Sequence, residues 1–224
     1  MIRRILTRVA AAAAALSVLP LLMTAAPAQA YGSCGVSVPS KVAITSPYRE
    51  ITARFSSGCD LYASYASWDV VHPTQGLEDI LIYDGRSTDT MDWYDWSPLG
   101  TYTVRPNHAW DENFDDVVQN SPRMTVRLGS GLRVSHSRSG KYVTITAKSS
   151  RYSANARSYR SWAGATATLR FRNCTSCAWT RVRSTTTNRY GQATFKVSSS
   201  RERYWQVATS NTSSTWGTSR SFRR

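Results

Sequence analysis

Apolar residues in this chain recur at every second position, and that period restricts the fold more than any other feature. Ile51, Ala53 and Phe55 alternate with Thr52, Arg54 and Ser56, and Val143, Ile145 and Ala147 alternate with Thr144, Thr146 and Lys148. Successive side chains of a strand point to opposite faces, so each stretch has one apolar and one polar side and suits a half-buried β-strand. The pattern returns at 80–83, 100–104, 123–128, 165–171, 192–197 and 203–208. Turn-forming groups punctuate it at Asp84-Gly85, Ser139-Gly140, Asn188-Arg189-Tyr190-Gly191 and Asn211. Short strands rich in Val, Thr, Tyr and Ser, with turns at this spacing, predict an all-β sandwich. Beyond residue 30 no stretch keeps a helical period, so almost no helix is expected.

Residues 1–30 stand apart. Arg3, Arg4 and Arg8 precede an Ala/Leu-rich stretch from Val9 to Met23, which ends in Ala28-Gln29-Ala30. A basic start, an apolar middle and an A-x-A site are the parts of a secretory signal peptide, and Pro20 and Pro27 argue against a lasting anchor helix. The Arg3-Arg4 pair keeps a twin-arginine route open beside the general one. The expected mature chain starts at Tyr31, has no apolar run near the roughly 18 residues of a membrane helix, and is secreted or associated with the cell wall. In an oxidising compartment the four cysteines are expected to pair. Of the three possible connectivities, only Cys34–Cys59 with Cys174–Cys177 avoids a link between the two halves of the chain. Cys174-Thr175-Ser176-Cys177 also has the spacing of a redox site or half a zinc site. No βαβ pattern or second ligand pair accompanies it, so a hairpin-tip disulfide is the reading adopted.

Charge divides the chain in two. Residues 31–130 carry a net −6, and residues 131–224 carry +17 with Glu202 as their one acid. The expected organisation is a signal peptide at 1–30, an acidic, aromatic-rich β-sandwich at 31–130 and a basic β-sandwich at 131–224, with Gly129-Ser130-Gly131 as a hinge. A faint internal echo supports a tandem: Ile51-Thr52-Ala53-Arg54 matches Ile145-Thr146-Ala147-Lys148, and Gly100–Val104 matches Arg203–Val207.

Gly164–Phe171, Tyr190–Val197 and Tyr204–Val207, together with Gly100–Val104, are fold markers. Through them the chain resembles the secreted tandem immunoglobulin-like β-sandwich proteins of actinobacteria. The resemblance implies a fold, two tandem immunoglobulin-like sandwiches, and brings no catalytic residues. A tyrosine near the start of the penultimate strand, bonded back to the preceding corner, belongs to that architecture. No cysteine pair brackets a tryptophan, which departs from antibody domains.

Candidate chemistry is sparse. Twelve of the fourteen acidic residues lie between Asp60 and Asp116, which reads either as solvated loops or as an oxygen-rich Ca²⁺ site; otherwise no metal or cofactor is expected. His72, His108 and Asp111 carry neither H-E-x-x-H nor G-x-S-x-G, so a hydrolase of wall or environmental polymers is kept only as an alternative. Trp93, Tyr94 and Trp96, interleaved with Asp92 and Asp95, form either core or a stacking platform, and on a strand Trp93 points away from the other two. Arg170, Arg172, Arg181 and Arg183 alternate on neighbouring strands beside the Cys174–Cys177 tip and are read as one basic stripe with Arg157 and Arg160. The surplus positive charge either keeps the protein soluble or holds an anionic wall polymer, with nucleic acid a less expected ligand. The function expected is a non-enzymatic binding or structural module of the cell envelope. A secreted inhibitor or toxin-like protein meeting a protein partner is the third reading.

Overall fold

The computed structural model describes residues 32–224, so the signal peptide expected at 1–30 lies outside the described residues. In chain order the elements of the first sandwich are β1 (Ser33–Cys34), β2 (Val36–Ser37), β3 (Lys41–Ile44), β4 (Tyr48–Phe55), α1 (Ser57–Tyr62), β5 (Tyr65–His72), β6 (Gly76–Tyr83), β7 (Thr88–Tyr94), β8 (Gly100–Trp110), β9 (Val118–Gln119) and β10 (Arg123–Leu128). The second contains β11 (Ser130–Ser139), β12 (Tyr142–Ser153), β13 (Ser158–Ser161), β14 (Thr166–Arg172), β15 (Thr180–Thr186), β16 (Gln192–Ser198), β17 (Tyr204–Thr209) and β18 (Ser219–Arg223).

Strand order makes both units immunoglobulin-like. In the first, a three-stranded sheet β2-β4-β7 faces a five-stranded sheet β3-β10-β8-β5-β6. In immunoglobulin lettering these are A-B-E and A′-G-F-C-C′, and β3 runs parallel to β10 as A′ does to G. In the second, β11, β12 and β16 form A-B-E, and β15-β14-β17-β18 form C′-C-F-G. The two halves of the internal echo occupy matching strands: Ile51 on β4 faces Met91 on β7, and Ile145 on β12 faces Phe195 on β16.

Each sandwich closes over its own apolar cluster. In the first, rings replace the missing inter-sheet disulfide. Trp68 on strand C is fully buried and stacks on Phe55 at 5.6 Å between centroids, while Trp93 meets Tyr102 edge-on at 4.9 Å. Tyr102 makes the expected corner, its hydroxyl donating to the Pro98 carbonyl at 2.6 Å. Its counterpart in the second sandwich is the buried Trp205, and Tyr204 is turned to the outer face instead. Both expected disulfides are formed, Cys34–Cys59 anchoring β1 to α1 and Cys174–Cys177 closing the tip between β14 and β15.

Gly129 is no free hinge. Its N–H donates to Ile44 O at 2.7 Å and its carbonyl accepts from Tyr152 N–H at 2.9 Å. A Cβ at this position would lie 2.5 Å from the Thr45 methyl, so the glycine allows two backbones to approach closely. Trp216, from the loop before β18, fixes the joint further. Its indole N–H donates to Val42 O at 2.7 Å, and the Arg127 guanidinium lies 4.3 Å over its ring.

Candidate functional site

Four segments meet at the end of the second sandwich remote from Gly129: the β11–β12 turn, the β14–β15 tip, the β16–β17 connection and the C-terminus. Their joining bonds define the pole. Arg138 donates to Ser199 O at 2.6 Å, Arg201 reaches Asn173 at 3.4 Å, and Arg203 and Arg224 exchange backbone bonds. All of these segments bring cations. Mutual repulsion is offset by aromatic rings between them: Arg172 lies over Trp179 at 4.5 Å and over Tyr204 at 5.5 Å, with Arg223 5.6 Å from the same Tyr204. Arg203 covers Phe171 at 4.4 Å. The Nε atoms of Arg172 and Arg203 are buried with no hydrogen-bond partner. Glu202, the one acidic side chain of the pole, is engaged with Arg223 at 3.0 Å.

The arginines read as one stripe separate into groups. Arg170 sits directly opposite Arg181 on the outer face of the β14–β15 pair, and Arg172 shares that face beside Tyr204. A bulge at Val182 shifts the register, so that Arg183 pairs with the core residue Leu169. Arg183 consequently leaves the face of Arg170 and Arg181, remaining exposed at the sheet edge, over the Phe195 ring at 5.6 Å and 3.5 Å from Thr194 O. Strict alternation would have put Arg181 and Arg183 on one face, and the extra residue undoes it. Arg157 and Arg160 lie in and beside β13, next to the joint, and are not part of the pole.

The aromatic candidates of the first sandwich also separate. Trp93 is fully buried and belongs to the core. Tyr94 and Trp96 are exposed and stacked, centroids 5.0 Å apart at 12°, and Tyr48 adds a third ring 5.4 Å from Tyr94. The Tyr48 hydroxyl is 2.8 Å from Asp92 and 3.2 Å from Glu50, and the bond to Asp92 above all pushes its ionisation well up from the ordinary phenol range.

The acidic cluster does not converge. Asp69 is bound by Arg105 and Asn107, Asp84 by Arg86, and Asp60 accepts the Tyr83 hydroxyl. Asp111 accepts the N–H groups of Asn113 and Asp115. Asp89 bridges the two sheets at their open edge, taking Ile82 N–H on one oxygen and Thr90 N–H on the other, both at 2.8 Å. Among the described residues no three His, Cys, Asp or Glu side chains are grouped to hold a metal. His108 pairs with Ser67 five residues along β5 from His72, a separation of about 16 Å. The His72 Nδ1 accepts from Thr74 and Gln75 N–H, which assigns the ring proton to Nε2 facing Leu99 O.

The basic pole was not legible as a unit because its members lie at strand ends far apart in sequence. The one available signal was topological: in A-B-E and C′-C-F-G sheets, the ends of A, C, E and G share one pole with the starts of B and F.

No family model matches the sequence, and the search of curated proteins gives no match. Among solved structures, the chain is similar to trypsin-activated alpha-2-macroglobulin from Escherichia coli, at 10% identity over 87% of this chain with a TM-score of 0.32. It spans 15% of that chain's length. It is also similar to the chicken CNTN1 FN1–FN3 domains (12% identity, 87% of this chain, 68% of that one, TM-score 0.33) and to the D00–D0 domain of Intimin (15%, 85%, 98% and 0.29). Strand order and register make both sandwiches immunoglobulin-like.

Proposed function

We propose that this is a secreted, non-enzymatic binding module of the cell envelope whose second sandwich holds an anionic polymer at its basic pole. The observation that carries the reading is the arrangement of Arg172, Arg203 and Arg223 among Trp179, Tyr204 and Phe171. Rings hold the Arg172 and Arg203 guanidinium groups in fixed positions without neutralising them, while Arg223 is shared with Glu202, so net positive charge stays available to a repeating phosphate chain. A polyphosphodiester of the cell wall has this chemistry, and its binding is driven by release of counterions. His72, bound into the turn after β5, and His108 on β8 lie about 16 Å apart, which supports a non-catalytic role.

The test is retention of the mature protein on poly(glycerol phosphate) between about 50 and 200 mM salt, beside the triple variant Arg172→Ser, Arg203→Ser, Arg223→Ser. Strong retention at low salt, collapsing over this range and lost in the variant, is expected. Equal retention of both proteins, or none at low salt, overturns the reading.

A further inference from the structure

Two pairs of like charges face each other across strands on the outer faces of this molecule, one pair on each sandwich and of opposite sign. Glu50 on β4 is directly opposite Asp92 on β7, and Arg170 on β14 is directly opposite Arg181 on β15. All four side chains are exposed. Cα atoms of opposed residues in antiparallel strands lie about 4.5–5.5 Å apart, so each pair brings two like charges close together. Like charges at that spacing destabilise a sheet. The Tyr48 hydroxyl bridges Glu50 and Asp92, and Arg181 donates to Ser184, but among the described residues no opposite charge neutralises either pair. The ion pairs among the described residues are Asp84–Arg86, Asp69–Arg105 and Glu202–Arg223.

We propose that the Arg170–Arg181 face of one copy docks on the Glu50–Asp92 face of a second copy of this chain. Charge complementarity selects the occupant: the net −6 of the first half and +17 of the second make another copy's opposite half a matched partner. The surroundings fit the same contact. Beside Glu50 and Asp92 stand the exposed Tyr48, Tyr94 and Trp96, with Trp96 72% exposed. Guanidinium groups in this molecule already lie on rings, Arg127 on Trp216 at 4.3 Å and Arg172 on Trp179 at 4.5 Å. An arginine reaching a carboxylate next to an indole gains both a forked hydrogen bond and a stacking surface. The contact joins unlike faces, so it forms twice around a two-fold axis, or once per copy in a closed ring or an open row.

This docking does not rest on polymer binding, and its test uses the mature protein alone. Sedimentation at low salt should show wild-type mass at or above the dimer, falling to monomer as salt rises. Glu50→Gln/Asp92→Asn and Arg170→Gln/Arg181→Gln should each be monomeric. Mixed in equal amounts, they should associate one to one, since each retains the face the other lacks. That recovery also shows both variants folded. A monomeric wild type at low salt, variants that associate like the wild type, or a mixture that stays monomeric each overturn the proposal.

Discussion

The hydroxyl of Tyr152, in the second sandwich, donates to the Asp95 carboxylate of the first at 2.8 Å, and both residues are buried. Tyr152 packs with the apolar cluster of the first sandwich, so β12 sends one side chain across the joint. Removing the hydroxyl strands a buried carboxylate. Tyr152→Phe is expected to cost about 1–3 kcal/mol in urea unfolding. Burial first, and the bond to Asp95 second, push the phenol's ionisation up to about 12 from 10.0. The folded state therefore holds that proton more tightly than the unfolded chain, and wild-type stability falls as pH rises above 10.0 through about 12. The Tyr152→Phe protein should lack this part of the alkaline slope, as a pH series of unfolding curves will show.

Trp216 makes the joint rigid through a different set of bonds. Its backbone N–H donates to Leu128 O, its indole N–H to Val42 O, and Ser130 donates to its carbonyl. Trp216→Ala removes the ring on which Arg127 rests while leaving both sandwich cores intact. Small-angle scattering should report a broader distribution of lengths for this variant than for the wild type. An unchanged distribution would mean that Tyr152 and Gly129 hold the joint alone.

Asp79 sits beside Asp89 and Asp92 on the edge strand β6, where burial pushes its carboxyl up from 3.8 against the pull of the Ile80 and Asp92 N–H groups. An acid whose folded pKa exceeds its unfolded value holds its proton better when folded, so its charged form costs stability above the folded pKa. That cost is relieved as pH falls through the raised value. Asp79→Asn keeps an acceptor for Ile80 N–H, 2.8 Å away, without the charge. It should be more stable than wild type at pH 7, with the advantage shrinking toward pH 4 in thermal melts.

The two disulfides should differ in their contribution. Loop-closure entropy gives about 3.5 kcal/mol for the separation of 25 between Cys34 and Cys59, and about 1.6 kcal/mol for the separation of 3 at the tip. Cys34 and Cys59 are also fully buried. The double Cys→Ser variant at 34 and 59 should lose more stability in urea than that at 174 and 177, which should keep both sandwiches folded.

Period two located β4, β8, β10, β12, β14, β16 and β17, and the second half of β6, because each is buried on one face. The edge strands β15 and β18 escaped it. Thr180–Thr186 and Ser219–Arg223 have hardly a buried position between them, so neither carries an apolar alternation to detect. The short helix α1 was missed because six residues are too few for a helical period, and Cys59 is its one buried residue. Alternation correctly turned Trp93 away from Tyr94 and Trp96, and the same rule misplaced Arg183, since a bulge leaves no trace in Arg181-Val182-Arg183. Joint residues such as Asp95 and Trp216 read as loop, because their partners are more than fifty residues away in the chain.

The opposed arginines on β14 and β15 lead to a test of whether this face is shaped by folding alone. Arg181 lies across from Arg170, and its one hydrogen bond runs to Ser184 at 3.0 Å. For the isolated molecule this is an unfavourable choice, because like charges directly opposite on a sheet repel. Threonine at this exposed edge position suits a strand and removes the repulsion. Arg181→Thr should therefore raise stability by about 0.2–1 kcal/mol at low ionic strength. The gain should shrink as added salt screens the pair, since the Debye length falls to about 3 Å at 1 M. Urea midpoints at two salt concentrations measure both effects. A stabilised variant that also loses association would mean that the arginine serves contact with a partner at the expense of the fold. A variant no more stable than wild type would mean that water and Ser184 already relieve the pair.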